Sequence, residues 1–342
     1  MSKRKLNQRQ QQRIAENQSA PAADTELGLV IGHYGQEIEV LPIPGLDTLN
    51  NKTSINANTL RCHFRANLET VVVGDKVYWQ RLAPTKSDAI NGAVGGVIES
   101  ICERNSLLLR PRPYEQPKPV AANIDQVMVV ISPQPEPKST LIDRYLIAAE
   151  NAGLSTALVI NKTDLLPDLS NVTSEELEFL SGLYRSLDYE VIEHSCVTGD
   201  ASTALADKCA GRATILVGQS GVGKSSIINY LEDKDLAETG DVSTYNTRGK
   251  HTTTTSRLYF LQRGGILIDS PGIREFGLWH LDETSIIDGL PEFRERATQC
   301  RFRDCQHGKS KGCAIQAAID DGDIHPSRAA SYATIIASLD EK

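Results

Sequence analysis

Residues 218–226 read GQSGVGKSS, directly after the apolar run ATILV at 213–217. Gly218-x-x-x-x-Gly223-Lys224-Ser225 is the spacing of a phosphate-binding loop. Gly218, Gln219, Ser220, Gly221, Val222 and Gly223 would curl their backbone N–H groups around phosphate oxygens. Lys224 would bring a point charge to the β and γ phosphates, and the Ser225 hydroxyl, followed by Ser226, can ligate Mg²⁺. The setting agrees with the motif. A buried strand precedes it, and a helix begins near Lys224 with its N-terminus toward the anion. A strand, a loop and a helix of an α/β sheet are thereby placed, and the rest of the chain is read outward from them.

Downstream, GGILIDSPG at 264–272 ends an apolar strand in Asp269. That carboxylate is placed to hold a Mg²⁺ water, and Gly272 to offer its N–H to a γ-phosphate. Upstream, NKTD at 161–164 closes the apolar run TALVI. The Asp164 carboxylate can accept bonds from the N1–H and 2-amino groups of guanine, a donor pair that adenine lacks, and buried bonds of this kind discriminate strongly. Asn161 is expected to hold loops together and the Lys162 stem to lie along the base, with Thr163 between Lys162 and Asp164. Ser195 and Cys196, in HSC at 194–196, resemble a loop whose backbone touches the guanine carbonyl. The base-reading loop thus precedes the phosphate loop, the reverse of the usual order.

The chain has 342 residues, which predicts about two or three domains. Its 40% hydrophobic and 23% charged residues are those of a globular protein. No apolar run approaches the roughly 18 to 20 residues of a membrane span, and Met1–Gln18 has no apolar signal core, so a cytoplasmic protein with no membrane partner is expected. Seven cysteines, three of them crowded between 300 and 313, fit a reducing compartment and a metal site. Cys300-x₄-Cys305-x-His307-x₅-Cys313 supplies three thiolates and one imidazole. These four fill a tetrahedral Zn²⁺ shell with no open position, so one structural zinc per chain is expected.

The net charge of −8 excludes a wholly basic nucleic-acid binder, yet both ends are basic. Lys3, Arg4, Lys5, Arg9 and Arg13 face one acid, Glu16; Arg294, Arg296, Arg301, Arg303, Lys309 and Lys311 face only Glu295 and Asp304. Two such clusters flanking a nucleotide-binding core point to phosphate backbones.

Four stretches divide the chain. Residues 1–26 read as a flexible basic arm. Residues 27–113 carry the β-like runs LGLVIGHY, EIEVLP, TLRCHFRA, KVYWQRL and GVIESICERNSLLL, which predict a small barrel, an OB-fold first and an SH3-like barrel second. The Pro-rich RPRPYEQPKP at 110–119 is expected to end the barrel as a stiff connector. Residues 114–275 alternate strands with helices, one of which opens on a capping box in TSEE at 173–176. Residues 276–342 are expected to be helical around the Cys/His cluster.

The order N-K-x-D, G-x-x-x-x-G-K-S, RGKHTTTTS at 248–256 and D-S-P-G, set between a barrel and a Cys/His segment, resembles the circularly permuted GTPases of bacterial small-ribosomal-subunit biogenesis. The resemblance implies a multidomain protein: an all-β OB-fold barrel, an α/β circularly permuted P-loop GTPase domain and a C-terminal helical zinc-binding domain. It implies GTP/GDP, Mg²⁺ and Zn²⁺ as cofactors, and a chain, expected as a monomer, that acts on the 30S subunit and its 16S rRNA late in assembly. Ile273 stands where Ras-like enzymes place a water-orienting Gln. His251, just before Thr252–Thr255, is the expected catalytic group besides Lys224, and one of those threonines is expected to close on Mg²⁺. A P-loop metabolic NTPase or kinase with a small-substrate barrel is the alternative.

Overall fold

A computed structural model of the chain describes residues 24–35, 37–43, 59–66, 68–82, 95–112, 115–168, 171–199, 202–232, 256–269, 278, 281–305, 307 and 310–340. Strands β1 (Glu26–Tyr34), β2 (Glu37–Pro42), β3 (Leu60–Phe64), β4 (Lys76–Arg81) and β5 (Gly96–Ile101) close a barrel in the order β1-β2-β3-β5-β4-β1. Period-two alternation turns one side chain in two inward. Val30, Ile38, Val40, Cys62, Val77, Trp79 and Ile98 form its core. Pairing, not periodicity, decides the barrel type. β3 runs parallel to β5 from Cys62↔Gly96 to Phe64↔Ile98, and β1 closes antiparallel on β4 through Glu26↔Trp79. This is an OB-like connectivity. Gly96 lets its strand lie on the indole, since a Cβ there would come within 2.5 Å of the Trp79 ring.

The Pro-rich connector is instead a hairpin of β6 (Leu107–Arg112) and β7 (Glu115–Ala122). Prolines cannot donate to a ladder, but both strands of a two-stranded ribbon are edges where they are tolerated. The expected 113/114 border falls between its two strands. The run GVIESICERNSLLL breaks between β5 and β6, where Arg104 turns inward and donates to both oxygens of buried Asp75 at 2.7 and 2.8 Å.

The α/β part contains β8 (Gln126–Ile131), β9 (Ser155–Asn161), β10 (Glu190–His194), β11 (Ala213–Val217), β12 (Ser256–Phe260) and β13 (Ile266–Asp269). Their order is β10-β9-β8-β11-β13-β12. All neighbours pair parallel except β12 with β13. Every residue of β8 and β11 is buried, as a strand covered on both faces requires. Helices α1 (Ser139–Asn151), α2 (Asn171–Ser186), α3 (Ser202–Cys209) and α4 (Lys224–Leu231) make the crossovers. α2 starts two residues before the expected capping threonine, in a stretch where Asn171, Thr173 and Ser174 are all helix-starting types. β1 also pairs with β12, through Gly32↔Arg257 and His33↔Ser256, so one eleven-stranded sheet runs from β10 into the barrel.

The C-terminal part contains α5 (Glu283–Asp288), α6 (Pro291–Ala297), α7 (Ala314–Asp320) and α8 (Pro326–Asp340). Leu278, Ile286, Leu290, Phe293, Ile315 and Ile335 pack together and take in Ile147 from α1. Arg328 of α8, 2% exposed, binds Glu292 of α6 at 2.6 Å and also Asp143 of α1, which accepts from Tyr184 of α2 at 2.7 Å. Removing one member of such a buried charge group costs about 3–5 kcal/mol. A buried charge group and shared apolar packing thus tie this part to the α/β part. Among the described residues no helix is long and apolar enough to cross a membrane.

Candidate active site and metal cluster

The parallel strands bring their C-terminal ends to one edge, where the loops of an α/β sheet form a crevice. β11 runs into Gly218, whose φ of +141° and contact with β8 exclude a side chain: a Cβ would sit 2.1 Å from the Val130 carbonyl. Gly223, at φ +95°, caps α4 in the left-handed region. Lys224 opens that helix and folds its ammonium back over the loop, donating to the carbonyls of Gly218 at 2.8 Å and Gln219 at 2.7 Å. Ser220, Gly221, Ser225 and Ser226 are exposed on the mouth of the loop, and Val222 is buried beneath it. The N-terminus of α4, an exposed hydroxyl and an ammonium therefore face one small volume suited to phosphate.

The NKTD stretch at 161–164 packs directly on this loop. Asn161, at the end of β9 and 1% exposed, donates from Nδ2 to the Val222 carbonyl at 2.9 Å. It also bars a side chain at Gly223, where a Cβ would lie 2.3 Å from that nitrogen. Lys162 holds φ +63°, uncommon for a residue with a side chain, and its ammonium bridges the carbonyls of Gln134 at 3.0 Å and Gly221 at 2.5 Å. Thr163 and Asp164 begin a 3₁₀ turn, Thr163–Asp168. The Asp164 carboxylate is aimed by Ser195, whose Oγ donates to Oδ1 at 2.6 Å while accepting from the N–H groups of Val197 and Thr198. Cys196 lies beside it, half-buried, with its thiol pKa pushed up by burial and then by the Asp164 charge.

Asp269 ends β13 in register with Leu216 of β11, two residues before Gly218. Burial raises its carboxyl pKa and the nearby Lys224 ammonium opposes the rise. Gly272, His251, Thr252–Thr255 and Ile273 lie outside the described residues.

Cys300, Cys305, His307 and Cys313 meet with all four donor atoms within 4.8 Å of one another. The His307 Nδ1 is 3.6 Å from the Cys300 sulfur and 3.9 Å from that of Cys313. Ligands at zinc's usual bond lengths stand roughly 3.5–3.8 Å apart on a tetrahedron, so the set fits one ion. The N–H groups of Ala314 and Gln316 point at the sulfurs of Cys300 and Cys313, both at 3.4 Å. Such contacts stabilise and orient thiolate ligands.

Residues 101–279, just over half of the chain, match the RsgA GTPase family. The chain belongs to that family. It is accordingly a GTP-hydrolysing enzyme with a circularly permuted GTPase domain. The curated relatives of this RsgA family member include two proteins named small ribosomal subunit biogenesis GTPase RsgA. The one from Alcanivorax borkumensis is 42% identical across 100% of this chain and 97% of its own length. The one from Pseudomonas aeruginosa is 42% identical across 100% and 99%. Among solved structures, YjeQ from Thermotoga maritima superimposes with a TM-score of 0.67 at 27% identity, over 93% of this chain and 99% of that one. YloQ, described as a circularly permuted GTPase, gives 0.65 at 24% identity over 93% and 96%, and speaks for the fold alone.

One residue packed against Asn161 in this RsgA GTPase escapes sequence reasoning. His194 is fully buried at the end of β10, and its Nδ1 lies 3.0 Å from the Asn161 Oδ1. Because the Asn161 amide nitrogen already donates to Val222, its oxygen is the acceptor, and the bonding pattern puts a proton on Nδ1 of His194. The other face of His194 meets Tyr230 of α4 edge-on, with ring centres 5.7 Å apart. The histidine thus fixes the amide that joins the two loops. The one trace in the sequence is a histidine closing the strand EVIEH.

Proposed function

We propose that this chain binds the 30S ribosomal subunit, assists its late maturation, and hydrolyses GTP to GDP and phosphate faster on the particle than in solution. The observation that carries the reading is the 42% identity, over the whole chain, to relatives named for small-subunit biogenesis. Asp164 and Asn161 would read the guanine, with Lys162, Thr163, Ser195 and Cys196 around it. Gly218–Ser226 would cradle the phosphates. Ser225 and Asp269 are hard oxygen donors of the kind Mg²⁺ takes, and they stand at the phosphate end of the crevice. His251 is proposed to orient the attacking water, the task for which Ile273 has no polar group. Zinc is the proposed occupant of the Cys₃His cluster, 16S rRNA the surface contacted, and a cytoplasmic monomer the working form.

Chain order supports a mechanical output. Leu278, buried in the C-terminal core, follows Asp269 by nine residues. Loss of the γ-phosphate contact at Asp269–Gly272 would therefore be felt at once in the zinc-binding part. The test is co-sedimentation. The protein with a non-hydrolysable GTP analogue should pellet with 30S particles, and with GDP it should stay largely in the supernatant. Equal recovery in both states would contradict nucleotide-controlled binding, and no recovery in either would favour a metabolic NTPase.

A further inference from the structure

We propose that Phe302 is a stacking platform for an unpaired RNA base. The proposal rests on the ribosomal reading above and names the contact that the zinc-binding part would make. Phe302 is 50% exposed on the loop between Cys300 and Cys305, with ligands of the metal cluster two residues before it and three after. Other exposed aromatic rings of the described residues have partners beyond their chain neighbours, whereas the ring contact of Phe302 is with the adjacent Arg301. Tyr34 binds Glu39 through its hydroxyl at 3.0 Å, and Phe179 packs on His325 with ring centres 4.9 Å apart.

The surroundings of Phe302 are cationic. The Arg301 guanidinium lies over its ring at 5.4 Å from the centre, and Arg303 and Lys311 are exposed nearby in the chain against a single acid, Asp304. Of the six basic residues in this segment, Arg294 and Arg296 are engaged inside the protein, with Glu150 at 3.6 Å and Asp323 at 2.9 Å. Arg301, Arg303 and Lys311 form no ion pair among the described residues.

A rigid aromatic face flanked by guanidinium and ammonium groups is the recognition chemistry of single-stranded RNA, in which a splayed base stacks on the ring and the cations follow the phosphates. A-form duplex does not fit, because its bases are already stacked and do not present a face. Zinc held by Cys300 and Cys305 would fix the loop that carries the ring and so lower the ordering cost of binding. An apolar protein pocket would take the same ring without needing its aromaticity, and the test separates the two.

Full-length, zinc-loaded protein with a GTP analogue is titrated against 30S subunits, and separately against a single-stranded RNA oligomer and its duplex, for wild type and for Phe302→Ala, Phe302→Tyr and Phe302→Leu. Since Phe302 lies outside the core, zinc content and nucleotide affinity should be those of wild type in all three. Loss of one stacked base corresponds to roughly a 5- to 150-fold weakening. Phe302→Ala and Phe302→Leu should show it with subunits and single strand, Phe302→Tyr should not, and the duplex should be indifferent to all three. Leu rescuing as well as Tyr would overturn RNA stacking in favour of a protein pocket. Wild-type binding that Phe302→Ala matches would overturn the platform alone, whereas wild type failing to bind subunits would overturn the ribosomal reading and the platform with it.

Discussion

Asp164→Asn is expected to lower GTP affinity by roughly 100-fold or more and to make xanthosine triphosphate the better ligand. A carboxylate accepts from the guanine N1–H and 2-amino group. An amide keeps one acceptor and turns its NH₂ toward the base, where it clashes with the 2-amino group but donates to the carbonyl that xanthine carries in its place. Ser195 already fixes this side chain through Oδ1 at 2.6 Å, so the new amide should be held in the same plane with its oxygen toward Ser195. Competition of GTP and xanthosine triphosphate against a fluorescent guanine nucleotide checks it. Unchanged GTP affinity and selectivity would remove Asp164 from the base-reading role.

The second large effect is expected at the metal cluster. Cys305→Ala should lose zinc and unfold the C-terminal helices while leaving nucleotide binding nearly intact. All four donors sit in the C-terminal segment, whose core is small, so the metal supplies much of its folding free energy, about 10–16 kcal/mol of apparent binding in comparable sites. Lys224 and the phosphate loop rest on a different core, with Val222, Ile227 and Ile228 packed against β8 and β11. Elemental analysis, far-ultraviolet circular dichroism and nucleotide titration on one sample separate the outcomes. A variant that keeps its zinc, or keeps full helix content without it, would show that the cluster does not hold this part of the fold.

What the sequence made legible was local. The phosphate loop, Asp269 and NKTD are each set by a strand end and a few adjacent residues, and the structure places them on one edge of the sheet. The Cys₃His set was equally readable, because its four donors lie within fourteen residues. Long-range choices left no local trace. The β3–β5 pairing that separates an OB-fold from an SH3-like barrel joins Cys62 to Gly96, and the β1–β12 junction joins Gly32 to Arg257. Neither alters the alternation of the strands concerned. Arg328 reads as a surface residue in PSRAASY, yet it is buried because Asp143 and Glu292, distant in sequence, converge on it. The Pro-rich hairpin misled for the opposite reason, since proline restricts the local backbone without excluding an edge strand.

The most direct measurement is GTP turnover with and without purified 30S subunits, at low and at raised salt. With Ile273 where a water-orienting amide would stand, the free enzyme should turn over well below the roughly 1 to 100 s⁻¹ of well-organised phosphoryl-transfer enzymes. Subunits should accelerate it strongly at low salt. The acceleration should fall steeply as salt rises, because basic contacts to RNA release counterions. His251→Ala should lose the accelerated rate while still binding GTP and the particle. Turnover that is already fast alone, or unmoved by 30S subunits at low salt, would contradict a ribosome-triggered GTPase.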